Sequence, residues 1–405
     1  MNQTAVGRYE RSGGGLLVPS AFADGYEKAR LIDSELADRY VAHLWIGDPL
    51  ADAAMRDVGG LDGRETARLI GGAIELDERV LRDGPQSLQD LIHEVTTVPA
   101  WYDPVAGQRG CSAFLRNSDH ILAAFVAGAI VEGFATMISK SFAITGRLID
   151  DGVRRLKQNI RHLLDIFMPG GVEPSGDGWK LTMRIRMVHA RVRLLFRDAE
   201  EWDYDAWGTP ISAAHTTLAA AAFSARMIQF AEMLGASLDD DDRAGIMEVW
   251  SYTAWVMGAP EAILFHNQAD GLHMHRVGAT CEPQPDFDAI ALAHCIVNSA
   301  PVVVGVRDPE KRQEAAQYIF RVSRELVGDA RAETLRFPAR PRMPLLPWLR
   351  TKVRLQRAMG KLFPAWGKAR SRRTFLHILD LADLGEGRFS YHLPDEVQSD
   401  RSSRW

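Results

Sequence analysis

Within the 405 residues, the segment that carries the most chemistry is Lys180–Arg197, KLTMRIRMVHARVRLLFR. Leu181, Ile185, Val188, Val192 and Leu195 follow at steps of four, three, four and three, the spacing of one apolar stripe along an α-helix. One position on runs a second stripe of Thr182, Arg186, His189 and Arg193. This sets His189 at the edge of the buried face, with an arginine one turn before it and another one turn after. A neutral imidazole reaching inward is a ligand for a metal such as haem iron, and flanking guanidiniums pair with propionates or a bound anion. The same pattern fits a core histidine satisfied by its neighbours, and spacing alone does not separate the two.

Other chemistry-bearing residues are sparser. Glu132 is the lone acid in a long apolar run and reads either as a general base for allylic proton abstraction or as half of a buried ion pair with Arg147 or Arg155. His266, His273 and His275 form an H-x6-H-x-H cluster, but no carboxylate or cysteine completes a metal set, so it reads as a loop of exposed histidines. Tryptophans 179, 202 and 207 either line a hydrophobic pocket or pack loops. Cys111, Cys281 and Cys295 have no disulfide or metal spacing; the last two read as core thiols. Gly13–Gly15 lacks the Gly-Lys-Ser/Thr of a phosphate loop and reads as a linker.

These residues must be positioned by helices. Long Ala-rich amphipathic runs cover 26–45, 64–82, 118–147, 150–168, 180–197, 213–235, 241–265, 286–300 and 309–330, separated by Gly/Pro clusters. Asp239–Asp242 suits a helix N-terminus. The clearest β-type run, Val302–Val306, stands alone. The expectation is one all-α domain over 26–338, after a flexible arm at 1–25 and before a basic extension at 339–405. Within that extension, 339–373 holds eleven Lys/Arg and no acid, interleaved with Trp348 and Trp366. It reads as a solvated face packed on the domain or as a peripheral contact with an anionic membrane.

Composition narrows the class further. A chain that is 46% hydrophobic and 25% charged is globular, and a net charge of -5 with no reader motif argues against nucleic acid. Mean hydropathy of -0.16 argues against a multi-span membrane protein. The amino terminus shows no apolar export region, which points to the cytoplasm.

Six short motifs, in order, bring a family into view: Gly47-Asp48-Pro49-Leu50-Ala51-Asp52-Ala53, Val98-Pro99-Ala100-Trp101-Tyr102-Asp103, Thr145-Gly146-Arg147-Leu148 with Arg154-Arg155-Leu156, Arg186-x-x-His189-x-x-x-Arg193, Trp207-Gly208-Thr209-Pro210-Ile211, and Trp250-Ser251-Tyr252 with Gly258. Together they resemble the rubber oxygenase (latex clearing protein) family, which also contains the membrane-bound oxygenase of mycophenolic acid biosynthesis. The resemblance implies an all-α, globin-like core with additional helices around one haem b. It implies His189 as the proximal iron ligand, Arg186 and Arg193 framing that side, and Arg155 on the distal helix.

The chain departs from the rubber-cleaving members in two places. Their Lys-Thr pair is replaced by Gln158 and Asn159, and the histidine after their last signature arginine by Leu194. Both changes speak against polyisoprene cleavage while leaving the haem assignment intact. Gln158 and Asn159 either donate hydrogen bonds to O2, orient a substrate, or merely satisfy helix backbone. The resemblance thus leads to a haem b-dependent oxygenase acting on a hydrophobic, isoprenoid-type substrate, with O2 activated at iron held by His189. Dioxygenase cleavage of a C=C bond stands ahead of monooxygenase or peroxygenase chemistry. The alternatives are a globin-like haem protein that binds O2 or another diatomic without turnover, and a helical binding module without haem.

Overall fold

Aspartate starts the helices that position the site. In the computed structural model, which describes residues 16–144, 152–197, 199–339, 345–347 and 350–351, Asp48, Asp103, Asp239, Asp286 and Asp308 each accept a backbone N–H from the turn that follows. Such a carboxylate satisfies an orphan donor and sits at the positive end of the helix dipole. Proline at the first helical position completes three of these starts, at Pro49, Pro104 and Pro309. The acidic run forms a capping box between Asp239 and Asp242.

The helices that build the site are α1 (Pro49–Val58), α2 (Pro104–Arg116), α3 (Ser118–Phe134), α4 (Ile138–Ile144), α5 (Gly152–Ile166) and α6 (Asp177–Phe196). They are followed by α7 (Ala213–Ala221, continued by Met227–Leu234), α8 (Asp240–Val256), α9 (Gln268–Cys281), α10 (Phe287–Val303) and α11 (Pro309–Val327). A π turn interrupts α3 at Phe125–Ala129 and another interrupts α7 at Ala222–Arg226. The two π turns pack against each other. No strand forms among the described residues, and the fold is all-α.

Three expectations about local structure change. Val302–Val306 is not a strand but the end of α10: Val306 N–H bonds to Pro301 O, Gly305 N–H to Val302 O, and Gly305 takes a φ of +79°. That is a Schellman cap, which a left-handed glycine permits. The arm expected over 1–25 is packed from residue 16 onward: Phe22 is fully buried, and Trp45 Nε1 donates to Leu17 O. Helices at Pro49–Val58, Gln86–Thr96 and Pro104–Arg116 occupy stretches not assigned as helical from periodicity. Residues 1–15 and most of the basic stretch 339–373 lie outside the described residues.

No single helix among the described residues is long and apolar enough to cross a membrane. Only α2 and α3 together reach that composition, and they bend by 88°. The apolar run Ile121–Ile138 is instead core, with Ile121, Phe125, Ile130 and Val131 each at most 1% exposed.

Candidate functional site

Helices α5 and α6 face each other across a cavity. From α6 it is lined by Ile185, Val188, His189 and Val192; from α5 by Arg154, Arg155, Gln158, Asn159 and His162. Phe134 of α3, Phe142 of α4, Phe223 of α7 and Trp250 of α8 close the sides. The empty space amounts to about 1480 Å³ including its part open to solvent, and the centre of a water-sized sphere can occupy about 220 Å³ of it. The stripe expected to be the core face of α6 is thus mainly the cavity face. Ile185, Val188 and His189 are only partly buried because they look into this space, while Met183, Arg186, Met187 and Arg193 lie on the packed side.

His189 is held without a hydrogen bond to its ring among the described residues. Burial, aided by the positive charge of Arg193, pushes its imidazole down to about 3, so it is neutral near pH 7. A neutral ring without a hydrogen-bond partner, beside open space, is a ligand nitrogen available for coordination. No group of three or more His, Cys, Asp or Glu that could hold a bare metal ion occurs among the described residues.

The two arginines around His189 do different work from that expected. Arg186 is 2% exposed and grips Asp48 with both arms, Nε to Oδ2 at 2.6 Å and Nη2 to Oδ1 at 2.9 Å; its Nη1 donates to Val256 O at 3.0 Å. Arg193 donates through Nε to Asp52 at 2.7 Å and through Nη1 to Ile211 O at 3.0 Å. Its Nη2 is buried with no acceptor among the described residues. Neither arginine lines the cavity. The carboxylates of the Gly47–Ala53 motif therefore clamp α6 on either side of His189.

Asp48 also caps α1 through Ala51 N–H. Burial raises its carboxyl pKa, but Arg186 outweighs this and holds it below the usual range. Gly258, at φ +95°, packs so close that a Cβ there would stand 2.3 Å from Asp48 Oδ2. Gly258→Ala is therefore expected to destabilise the fold by at least about 1–3 kcal/mol through backbone strain and a displaced carboxylate. A thermal melt superimposable on that of the native protein would refute this.

The opposite wall is cationic and aromatic. The Arg155 guanidinium stacks over the Phe142 ring at 3.8 Å. Asn159 spends one amide N–H on Arg155 O at 2.8 Å. One turn on, His162 continues the face of 155, 158 and 159, at a spacing that could have revealed it from sequence. Its Nε2 lies 2.8 Å from Thr182 Oγ1, whose own proton goes to Gly178 O at 2.7 Å. Thr182 can then only accept, which sets His162 as the Nε2–H tautomer and leaves Nδ1 as the lone-pair nitrogen.

Burial pushes His162 down to about 4. The unfolded chain takes up this proton near pH 6.5 and the folded chain only near 4, so stability should fall as pH drops across that interval. Denaturant midpoints between pH 7 and 4 should show this loss, and His162→Gln should flatten the slope; an unchanged slope would remove His162 as its source.

Glu132 does not join this site. It lines a separate space and pairs with Arg226, Nε to Oε2 at 2.9 Å and Nη2 to Oε1 at 2.6 Å, with His275 Nε2 at 3.3 Å. The ion pair is real, but its partner is Arg226 of the α7 π turn, not Arg155; Arg147 lies outside the described residues. The adjoining Gly133 and Phe134 face the main cavity, which turns Glu132 away from it. The histidine cluster is the expected exposed loop only in part: His266 is exposed in the loop before α9, His273 is exposed on α9, and His275 is partly buried on it. The two-residue step on α9 points His273 and His275 apart, the first to Asp33 and the second to Glu132, while His266 packs tilted against Trp101, ring centroids 4.6 Å apart. Trp179, Trp202 and Trp207 do not line the cavity; Trp250 does. Cys281 is buried and Cys295 only partly so.

With this geometry in hand, the comparisons with known proteins are specific. Residues 115–373 match the family described as ER-bound oxygenase mpaB/B′ and rubber oxygenase, catalytic domain. A solved structure of latex clearing protein in the closed state superposes with a TM-score of 0.63 at 18% identity, covering 87% of this chain and 95% of that one. At that identity the likeness speaks for the fold. No curated protein matches the chain in sequence.

Proposed function

Because the chain belongs to the ER-bound mpaB/B′ and rubber oxygenase catalytic-domain family, we propose that it is a haem b-dependent oxygenase acting on a hydrophobic, isoprenoid-type substrate. The observation that carries this reading is His189 itself: a neutral histidine with no hydrogen bond to its ring, on the wall of the largely apolar cavity. A metal already bound in a macrocycle needs one protein nitrogen rather than a cluster, and His189 offers one to the cavity. Arg154 and Arg155 add positive charge to the cavity wall that faces His189, which suits a group bearing carboxylates.

When bound, haem b supplies activation of O2. The protein's own residues do the rest. Asp48 and Asp52 hold α6 through Arg186 and Arg193 and so fix the histidine. Phe134, Phe142, Phe223 and Trp250 give an apolar lining that takes a hydrocarbon chain and keeps water away. Gln158 and Asn159 both line the cavity on the wall facing His189 and are the polar amides placed to touch substrate or O2 there. A neutral amide in place of the rubber-cleaving members' lysine favours a small alkene over polyisoprene, with dioxygenase cleavage to carbonyl products as the first reading.

The test is turnover. Haem-loaded protein supplied with farnesol as the alkene should consume O2 and release carbonyl fragments that carry both atoms of labelled O2. Reversible O2 binding without consumption, across farnesol and shorter isoprenoid alkenes, would instead favour a diatomic-binding globin-like protein.

A further inference from the structure

A second cavity backs onto the first. It allows about 320 Å³ to the centre of a water-sized sphere, and Gly133 belongs to both walls. Its polar lining includes Arg331, His275, Glu132, Gln284, Thr280 and Thr334. Arg331, in the helix Asp329–Thr334, spends one N–H on Ala135 O at 3.0 Å, and no carboxylate lies within ion-pairing distance of it among the described residues. A guanidinium carries five N–H donors, so most of this one faces no protein acceptor.

The carboxylates nearby are already taken. Glu132 is bound by Arg226 and His275. Glu282 accepts from Tyr40 at 2.9 Å and from Met137 N–H at 2.9 Å, with His215 at 3.3 Å. Burial lowers the Arg331 pKa, because water is withdrawn without a direct counter-charge. A half-buried guanidinium in that position, next to open space, is complementary to an anion.

The rest of the lining limits which anion. Thr280 donates its hydroxyl proton to Arg276 O, Thr334 to Arg331 O and Thr136 to Gly133 O. These hydroxyls therefore offer the cavity lone pairs only. Glu132 in the wall adds negative charge, which opposes a dianion. We propose that this cavity binds a small hydroxy-substituted monocarboxylate, its carboxylate on the Arg331 fork and its hydroxyl donating to the threonine oxygens.

Calorimetric titration of the full-length protein with L-lactate, acetate and inorganic phosphate, at constant ionic strength, tests this. L-Lactate should bind saturably at one per chain and more tightly than acetate or phosphate. Arg331→Gln should weaken it roughly tenfold to a hundredfold, the worth of a charge-assisted pair, and Arg331→Lys should recover part of the loss. Thr280→Val keeps the guanidinium and serves if Arg331→Gln fails to fold; it should weaken lactate and spare acetate. No saturable lactate uptake, phosphate binding as tightly as lactate, or equal lactate affinity in the native protein and the folded variants would overturn the proposal. None of these readouts depends on haem.

Discussion

Asp48→Ala is expected to lower stability by roughly 3–5 kcal/mol, the cost of leaving a buried charge without its partner. The partner is Arg186, which would keep only the Val256 carbonyl at 3.0 Å as an acceptor while remaining 2% exposed. The loss of the α1 cap, where Asp48 accepts from Ala51 N–H, adds to the effect at about 1 kcal/mol. Asp48→Asn keeps the shape and the cap acceptor but removes the charge, so it should fall between alanine and the native protein. Urea midpoints of the two variants check this. A loss below about 1 kcal/mol for Asp48→Ala would mean that Arg186 finds another acceptor, and the clamp on α6 would then have no energetic weight.

His189→Ala should bring haem binding from about one per chain to a trace, and it should do so without unfolding the protein. The ring contributes no hydrogen bond among the described residues and faces a cavity, so its removal leaves no partner stranded. Helical circular dichroism should be preserved. His189→Gly with imidazole added to the solvent should recover a haem spectrum, because a free imidazole can occupy the vacated space. His162→Ala, which alters the facing wall, should retain haem. Loss of haem in His162→Ala with retention in His189→Ala would reverse the assignment of the two histidines.

Much of this arrangement was legible in the chain. The helical periods were long enough to yield the all-α class, and the stripe of Thr182, Arg186, His189 and Arg193 marked the segment on which the site is built. The facing residues Arg155, Gln158 and Asn159 came from resemblance, and the structure brings all three to the same cavity as His189. What periodicity could not supply was the meaning of a stripe. An apolar row packs equally well against core or around an internal cavity, so Ile185, Val188 and Val192 looked like core and line open space. The same ambiguity made Arg186 and Arg193 read as groups directed at a cofactor, when their carboxylate partners stand 138 and 141 residues earlier in the chain. No local pattern reports a pairing over that distance.

Glu132 illustrates the same limit from the other side. Its burial was readable from the apolar run around it, but its partner depended on which face of α3 turned inward, and the π turn at Phe125–Ala129 resets that register. His162 was missed for a simpler reason: a histidine among leucines on α5 looks like core filling, although its spacing from Arg155, Gln158 and Asn159 puts it on their face, and the hydroxyl of Thr182 across the helix pair shows it to be part of a polar wall.

The most direct measurement is the absorption spectrum of the purified protein, as isolated and after dithionite, with a pyridine haemochrome determination. The account predicts a Soret band and close to one b-type haem per chain, lost in His189→Ala. Colourless protein that also fails to take up added haem would contradict it, since the His189 cavity would then hold something other than the group on which the proposed chemistry depends.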